Sequence, residues 1–237
     1  MCIRDRPDPV ALKAMKKDHN MMVPIMEAIE TLNSFGMEVV SGIILGLDTD
    51  KPETGQHLLE FVETSQIPLL TINLLQALPQ TPLWDRLKKE GRLNEDEGRD
   101  SNVDFLLPYE DVVKSWRRAM GSAYVPEKLL ERFEYQIRHT YPNRIKPPIG
   151  AMLTWKSIRL GLVMLRNIFW KVGVLGDYKR AFWKFALRRL ARGEIEYLIS
   201  GIMVAHHLIN FARDASGGQT NASYYSLKLQ DAAVPAE

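Results

Sequence analysis

The stretch SGIILGLDTD, residues 41–50, decides how the rest of the chain is read. It is an apolar run, punctuated by Gly42 and Gly46, that ends abruptly in Asp48, Thr49 and Asp50. Extended back to Met37, it is β-branched and apolar on both faces, the pattern of a parallel strand covered by helices. Gly42, Ile44 and Gly46 alternate and so share one strand face. Glycines there remove side chains and let another group approach the backbone, and Ile44 between them offers a flat apolar contact. An aromatic base could stack on that face. A second reading stays open at this point, in which the glycines make room for a packed helix. Asp48 and its neighbours stand at the C-terminal end of the strand, which is where ligands bind in α/β barrels.

Working outward, apolar residues recur at spacings of three and four from Leu12 through Met26 to Leu32, one face of a helix. Pro24 divides or kinks that run, and Gly36 is suited to end it. Downstream, Asp50 and Glu53 suggest a capping box for a helix whose buried face is Leu58, Leu59, Phe61 and Val62. LLTINLLQAL, residues 69–78, reads as a second apolar strand, and Thr81 and Pro82 open a short helix that ends at Gly91. Strands alternating with amphipathic helices imply βα units and a parallel sheet. Two strands are too few for an independent sheet, so the expectation is a truncated chain.

Past Gly91 the composition changes. Asn94–Asp104 is polar and acidic, a linker or surface loop. From Tyr109 onward only helices are expected: one marked by Val112, Val113, Trp116 and Met120, another opening at Pro126 and burying Leu129, Phe133 and Ile137. YPNRIKPP, residues 141–148, breaks the chain before further helices between 151 and 211. From Asp214 the chain is rich in Ser, Gly and Ala and is expected to be disordered. The division is therefore 7–95 for the α/β part, 96–150 for a linker and helical region, 151–213 for a basic helical domain and 214–237 for a tail. Residues 1–6, MCIRDR, match what the transposon end of a sequencing-library adapter encodes, and we read them as such an artefact. A genuine short tail is the alternative.

Apolar residues make up 46% and charged residues 25% of the 237, with a net charge of +2, which suits a globular protein. The single cysteine excludes an intrachain disulfide and an all-cysteine metal site within the chain, and fits a reducing, cytoplasmic setting. The first residues are charged and no apolar core of a signal peptide follows. No run of about 18 uninterrupted apolar residues is present, so no spanning helix is expected.

GMEVVSGIILGLDTD, residues 36–50, resembles the fifth-strand region of radical S-adenosylmethionine (SAM) enzymes, where the family carries G-x-I-x-G-x-x-E against the adenosyl part of SAM. Gly42, Ile44 and Gly46 match. Thr49 takes the place of the final acid, with Asp48 and Asp50 on either side. PDPVALKAMKKDHN (7–20), LLQALPQTPLWDRLKKEGRL (74–93), DYKRAFWKFALRRL (177–190) and ISGIMVAHHLI (199–209) extend the likeness. Together they resemble the members with an N-terminal cobalamin (B12)-binding domain and a helical C-terminal extension. The family often has ALPGTPL where this chain has Gln80 in place of the glycine. The resemblance implies the C-terminal part of a parallel (β/α) radical SAM barrel followed by an all-α domain. It implies SAM as cofactor, with a [4Fe-4S] cluster and cobalamin in the parent protein, and methylation of an unactivated carbon. It also implies Gly42, Ile44, Gly46 and Asp48, with the main chain of Leu75, Gln76 and Ala77, as SAM-binding positions. The three-cysteine C-x-x-x-C-x-x-C motif that would hold the cluster is absent, so the chain alone is expected to be inactive, with no catalytic and no metal-binding residue.

Asn73 and Gln76 on the second strand are candidates for substrate or adenine contacts, since an interior polar side chain needs a partner. A bond to a neighbouring loop would serve equally. His206 and His207 are adjacent and point about 100° apart on a helix, so they do not share a metal; His206 is a packed or substrate-facing residue. Between Lys156 and Arg192 lie ten basic residues and one acid, Asp177, interleaved with aromatic residues. Basic amphipathic helices with Trp and Phe lie on anionic membrane surfaces; alternatively, the long basic side chains cover the domain's own core. The expected partners are a small-molecule or lipid substrate and a membrane surface on the inner face, with no nucleic acid. A non-enzymatic peripheral membrane or interaction protein built on these helices is the other functional class.

Overall fold

Pro24 occupies the N-cap of helix α1 (Ile25–Ser34), where its missing N–H breaks no hydrogen bond of that helix. The computed structural model describes residues 24–94, 99–145 and 154–217. The pattern upstream of Pro24, with Leu12 and the MCIRDR segment, lies outside the described residues, as does the chain beyond Gly217. After α1 come β1 (Val40–Leu45), α2 (Thr54–Ser65), β2 (Leu69–Leu74) and α3 (Pro82–Lys89). The strands pair in parallel, with Val40 opposite Leu69, Gly42 opposite Thr71 and Ile44 opposite Asn73. The chain is thus α/β in its first part, with a small two-stranded sheet in a mostly helical structure.

Both strands are shorter than the apolar runs that announced them. Glu38 is held by Tyr141 Oη, at 2.8 Å, and by Arg144 Nη2, at 3.0 Å. The segment before β1 is thereby tied to the far end of the helical region rather than to a ladder. Leu75–Leu78 leaves the sheet to meet the loop around Ser101. Burial alternates along both strands. Ser41, Ile43 and Leu45 with Leu70, Ile72 and Leu74 face the helices, while Gly42 and Ile44 are half-buried and Thr71 and Asn73 are exposed. Helices therefore cover one sheet face, and the other is open among the described residues.

The helical remainder comprises α4 (Tyr109–Ala123), α5 (Pro126–His139), a 3-10 turn (Tyr141–Asn143), α6 (Trp155–Ile168) running into a π turn (Phe169–Val174), α7 (Lys179–Ala191) and α8 (Ile195–Ser216). α4 packs directly on α2 and β2. Its Trp116 Nε1 donates to the carbonyl of Ile72 at 2.8 Å, and Tyr124 Oη donates to the carbonyl of Leu70. Side chains thus occupy carbonyls on the edge of β2 where a third strand would otherwise pair, a way of closing a sheet edge. One apolar core runs from Ile29 through Trp116 and Phe133 to Ala215. A smaller one joins Leu75, Ala77, Leu87 and Val103. Arg189, fully buried, donates to Glu134 of α5 at 2.8 Å and to Glu194 at 2.6 Å, pinning α7 against α5.

Three local expectations need correction. The capping box at Asp50 and Glu53 does not form: Glu53 is the N-cap without a side-chain bond. Asp50 Oδ2 instead accepts from the N–H of Gly46 at 2.8 Å, because the left-handed Gly46 (φ +94°) folds the chain back on itself. The helix at 195 runs to Ser216, past Asp214, because Ala212 and Ala215 are buried in the core. That same helix is long and apolar enough, by length and composition, to cross a membrane. Scattered polar residues hid this from a search for unbroken apolar runs. In this structure its buried side carries Leu198, Ile202, Ala205 and Ile209. The cap at Thr81 is as expected, its Oγ1 accepting from Trp84 N–H at 3.2 Å. Just before it, Gln80 holds φ +64°, a left-handed conformation that glycine adopts without strain.

Candidate functional site

Gly42 and Ile44 lie on the open face of the sheet beside Thr71 and Asn73, as the parallel register requires. A Cβ on Gly42 would meet only Thr71 Oγ1, at 3.4 Å. The missing side chain leaves a shallow, flat area flanked by Ile44, a hydroxyl and an amide, suited to a planar ring with polar edges. Gly46 serves a different purpose. It is buried beyond the strand end at positive φ, and a Cβ there would strike the ring of Phe105 at 2.4 Å. Here the packing reading of the glycine applies.

Asp48, on the loop after β1, is gripped by two arginines, Arg86 of α3 and Arg92, each at 2.7 Å. Partial burial pushes its carboxyl up, but the hydrogen bonds and charges of Arg92 and Arg86 outweigh this and hold it below the usual carboxylate range. Asp48 is therefore an ionised structural anchor that ties the loop to α3. Next to it, Thr49 Oγ1 is buried and has no hydrogen-bond partner among the described residues.

The stretch after β2 is occupied. Leu75 N–H donates to the carbonyl of Leu45 at 2.7 Å, and its own carbonyl accepts from Ser101 Oγ at 2.6 Å. Asn102 holds both main-chain groups of Ala77, accepting from its N–H at 2.9 Å and donating to its carbonyl at 2.8 Å. The Gln76 side chain donates to the carbonyl of Asp100 at 2.7 Å. The loop that carries Ser101 and Asn102 thus uses the groups that a base would need at Leu75 and Ala77.

Between the exposed side of β2 and helix α8 lies a cavity of about 510 Å³, bordered by Ile44, Asn73, Gln76, Trp116, His207 and Phe211. It brings Ile44, Asn73, Leu75 and Gln76 into one mostly apolar space, and it leaves Gly42, Gly46, Asp48, Ala77 and His206 outside. It also adds residues that local patterns did not single out: His207, Leu208 and Phe211 of α8 and Trp116 of α4. The apolar spacing of α8 could have suggested Leu208 and Phe211 as a pair on one helix face, but nothing in it points to β2.

The two adjacent histidines have different surroundings. His206 Nδ1 lies 2.6 Å from Tyr178 Oη and its Nε2 lies 3.2 Å from Asn210 Nδ2. A neutral ring with its proton on Nδ1 satisfies both contacts. Burial, then the nearby Lys171 and Arg213, lower its pKa from the usual value and favour that neutral form. His206 is held by its own helical domain, and His207 is the one at the cavity. Among the described residues no group of three His, Cys, Asp or Glu side chains could hold a metal ion.

A family model described as Domain of unknown function (DUF4070) matches residues 81–221. The chain is 63% identical over 233 residues to a hopanoid C-2 methylase of Rhodopseudomonas palustris, across 98% of this chain and 44% of that protein. It is 28% identical over 242 residues to an uncharacterized methyltransferase of Synechocystis sp., across 96% of this chain and 43% of that protein. The chain thus spans less than half the length of these curated relatives. No solved structure matches it.

Proposed function

This chain belongs to the DUF4070 family, and on that premise we propose that it is the C-terminal part of a radical SAM methylase acting on an unactivated carbon of a hopanoid-type lipid. The observation that carries the reading is the open position at Gly42, which meets only Thr71, on the same strand face as Ile44 and Asn73, two residues that border a large, mostly apolar cavity. The kinship to the hopanoid methylase over nearly the whole chain supports it. In this reading the two strands are the closing part of a parallel α/β barrel.

The residues present fit one cofactor in part. Gly42 and Ile44 would receive the flat adenine of SAM, with Thr71 and Asn73 at its polar edge. Leu75 and Ala77, held by Ser101 and Asn102, would shape the wall without bonding the base. The cluster does not fit: thiolates are needed, and the one cysteine of the chain is Cys2. No residue here is assigned to cobalamin. We place the ligands of both groups in sequence outside this chain, which alone is inactive. The cofactors supply the radical and the methyl chemistry. This part of the protein contributes the adenosyl wall and a mostly apolar cavity for the substrate, with His207 as a polar contact. A reducing, cytoplasmic setting suits the cluster.

The first test is to sequence the native DNA upstream of the Pro7 codon, where an open frame leading to a C-x-x-x-C-x-x-C motif is expected. The longer protein, reconstituted anaerobically, is then given SAM with a deuterated methyl group and a hopanoid. A labelled methylated product is expected, and Gly42→Leu should abolish SAM binding without unfolding the protein. A frame with no such motif, or a reconstituted protein that binds no SAM, overturns the reading.

A further inference from the structure

Helix α6 is amphipathic in an unusual sense. Its inner edge packs on the core through Leu165 and Ile168, and the π turn that follows does so through Phe169 and Val172. Its outer edge carries Trp155, Arg159, Leu162 and Arg166, spaced at four, three and four, one stripe down a helix, and Trp170 stands just beyond it in the π turn. Trp155 is 81% exposed, Leu162 62% and Trp170 60%. From Trp155 to Ile168 only Ile168 is buried, and α8 is the one other helix with extensive contacts to α6.

The charge on this edge is one-sided. Neither α6 nor the π turn contains an acid. Among the described residues Lys156, Arg159, Arg166 and Lys171 enter no ion pair, and Asp177 beyond them is taken by Arg213 at 2.7 Å. A helix that merely faced water would gain from acids three or four residues from its arginines. It would also gain by replacing Trp155, Leu162 and Trp170, whose apolar area is costly to leave in water.

We propose that this edge of α6 docks the protein on an anionic lipid bilayer, lying flat in the headgroup layer. Trp155 and Trp170 sit at the interface, where an apolar ring with a polar N–H is at home, and Leu162 reaches the acyl boundary. Arg159 and Arg166, with Lys156 at the margin, extend to lipid phosphates, their aliphatic stems covering the apolar residues between them. Charge complementarity selects this occupant. Nucleic acid would use the cations but leave Leu162 and both indoles in water. A protein groove would bury the indoles but would have to desolvate the unpaired cations Lys156, Arg159 and Arg166. Helix α8 stays packed and does not insert, because Leu198, Ile202 and Ile209 already face the core. The docking is independent of the methylase reading, and its test involves neither SAM nor substrate.

The chain, and the longer protein, are mixed with vesicles of phosphatidylcholine alone or containing roughly one-third phosphatidylglycerol. Both are expected to co-sediment with the anionic vesicles only, with a blue shift in tryptophan emission. The interaction should be lost at about 1 M salt, where the Debye length is about 3 Å. The double variant Arg159→Gln/Arg166→Gln should weaken binding by about tenfold or more. The variant Trp155→Ser/Trp170→Ser should abolish the emission shift. All four positions are exposed, so circular dichroism should be unchanged. Absence of binding to anionic vesicles overturns the proposal. So does equal, salt-insensitive binding to both vesicles, which would mean insertion of α8. Binding by the chain but not by the longer protein means that α6 is an internal contact and also overturns it. Tighter binding to an RNA homopolymer than to vesicles reassigns the edge to nucleic acid.

Discussion

A Cβ placed on Gly46 would lie 2.4 Å from Cε1 of Phe105, whose ring lies against that glycine and stacks on Tyr109 at 5.5 Å. The two glycines of the opening stretch therefore do unlike things. Gly46→Ala combines a left-handed backbone with a clash, and should destabilise the protein by about 2–4 kcal/mol in urea unfolding. Gly42→Ala meets only a hydroxyl and should cost less than about 1 kcal/mol. Equal losses at both positions would show that the open face is also packed.

Gln80 stands at φ +64° directly before the Thr81 cap. A left-handed residue other than glycine costs about 1–2 kcal/mol, partly offset by the greater freedom of glycine in the unfolded chain. Gln80→Gly should therefore stabilise the fold by about 0.5–1 kcal/mol, seen as a higher unfolding midpoint at unchanged slope. A lower midpoint would mean that the Gln80 side chain contributes more than its backbone costs.

The Asp48 carboxylate is bound by Arg86 and Arg92, so its folded pKa is depressed. Its contribution to stability is complete above the ordinary carboxylate pKa of about 4 and fades as pH falls through the depressed value. Asp48→Asn should be less stable than the parent by about 1 kcal/mol at neutral pH. The gap should narrow progressively below about pH 4. Denaturant titrations at a series of pH values check this; a gap independent of pH would assign the loss to shape rather than charge.

His206 and His207 should separate cleanly. His206→Ala removes the Tyr178 hydrogen bond and should lower stability by about 1 kcal/mol. His207→Ala should leave the melting temperature nearly unchanged and, in the longer protein, raise KM for the lipid more than it lowers kcat. The opposite assignment would place the cavity contact on the wrong histidine.

Much of the fold was legible because helices and strands leave periodic marks. The spacing of Val112, Val113, Trp116 and Met120, the Thr81–Pro82 start and the apolar runs at Ile43 and Ile72 each report a local burial pattern. The site was less legible, because its decisive contacts join distant residues. Arg92 reaches Asp48 across 44 positions, and Asn102 reaches Ala77 across 25. Glu38 is claimed by Tyr141, 103 positions away, which shortens the start of the first strand. No local period carries that information. A one-residue choice between adjacent histidines is likewise set by how α8 is rotated against β2, which packing of the whole helix decides.

The indole of Trp116 and the phenol of Tyr124 give the sheet a handed seam. With carbonyls of β2 already satisfied on that side, a further stave joins more readily beside β1, next to the bare backbone of Gly42. If the sheet is extended, the edge left free for a further strand is that of β1, which carries Gly42. A partner segment that supplies a strand would in the same motion bring its loops over that face. Completing the sheet and enclosing the face would be a single event.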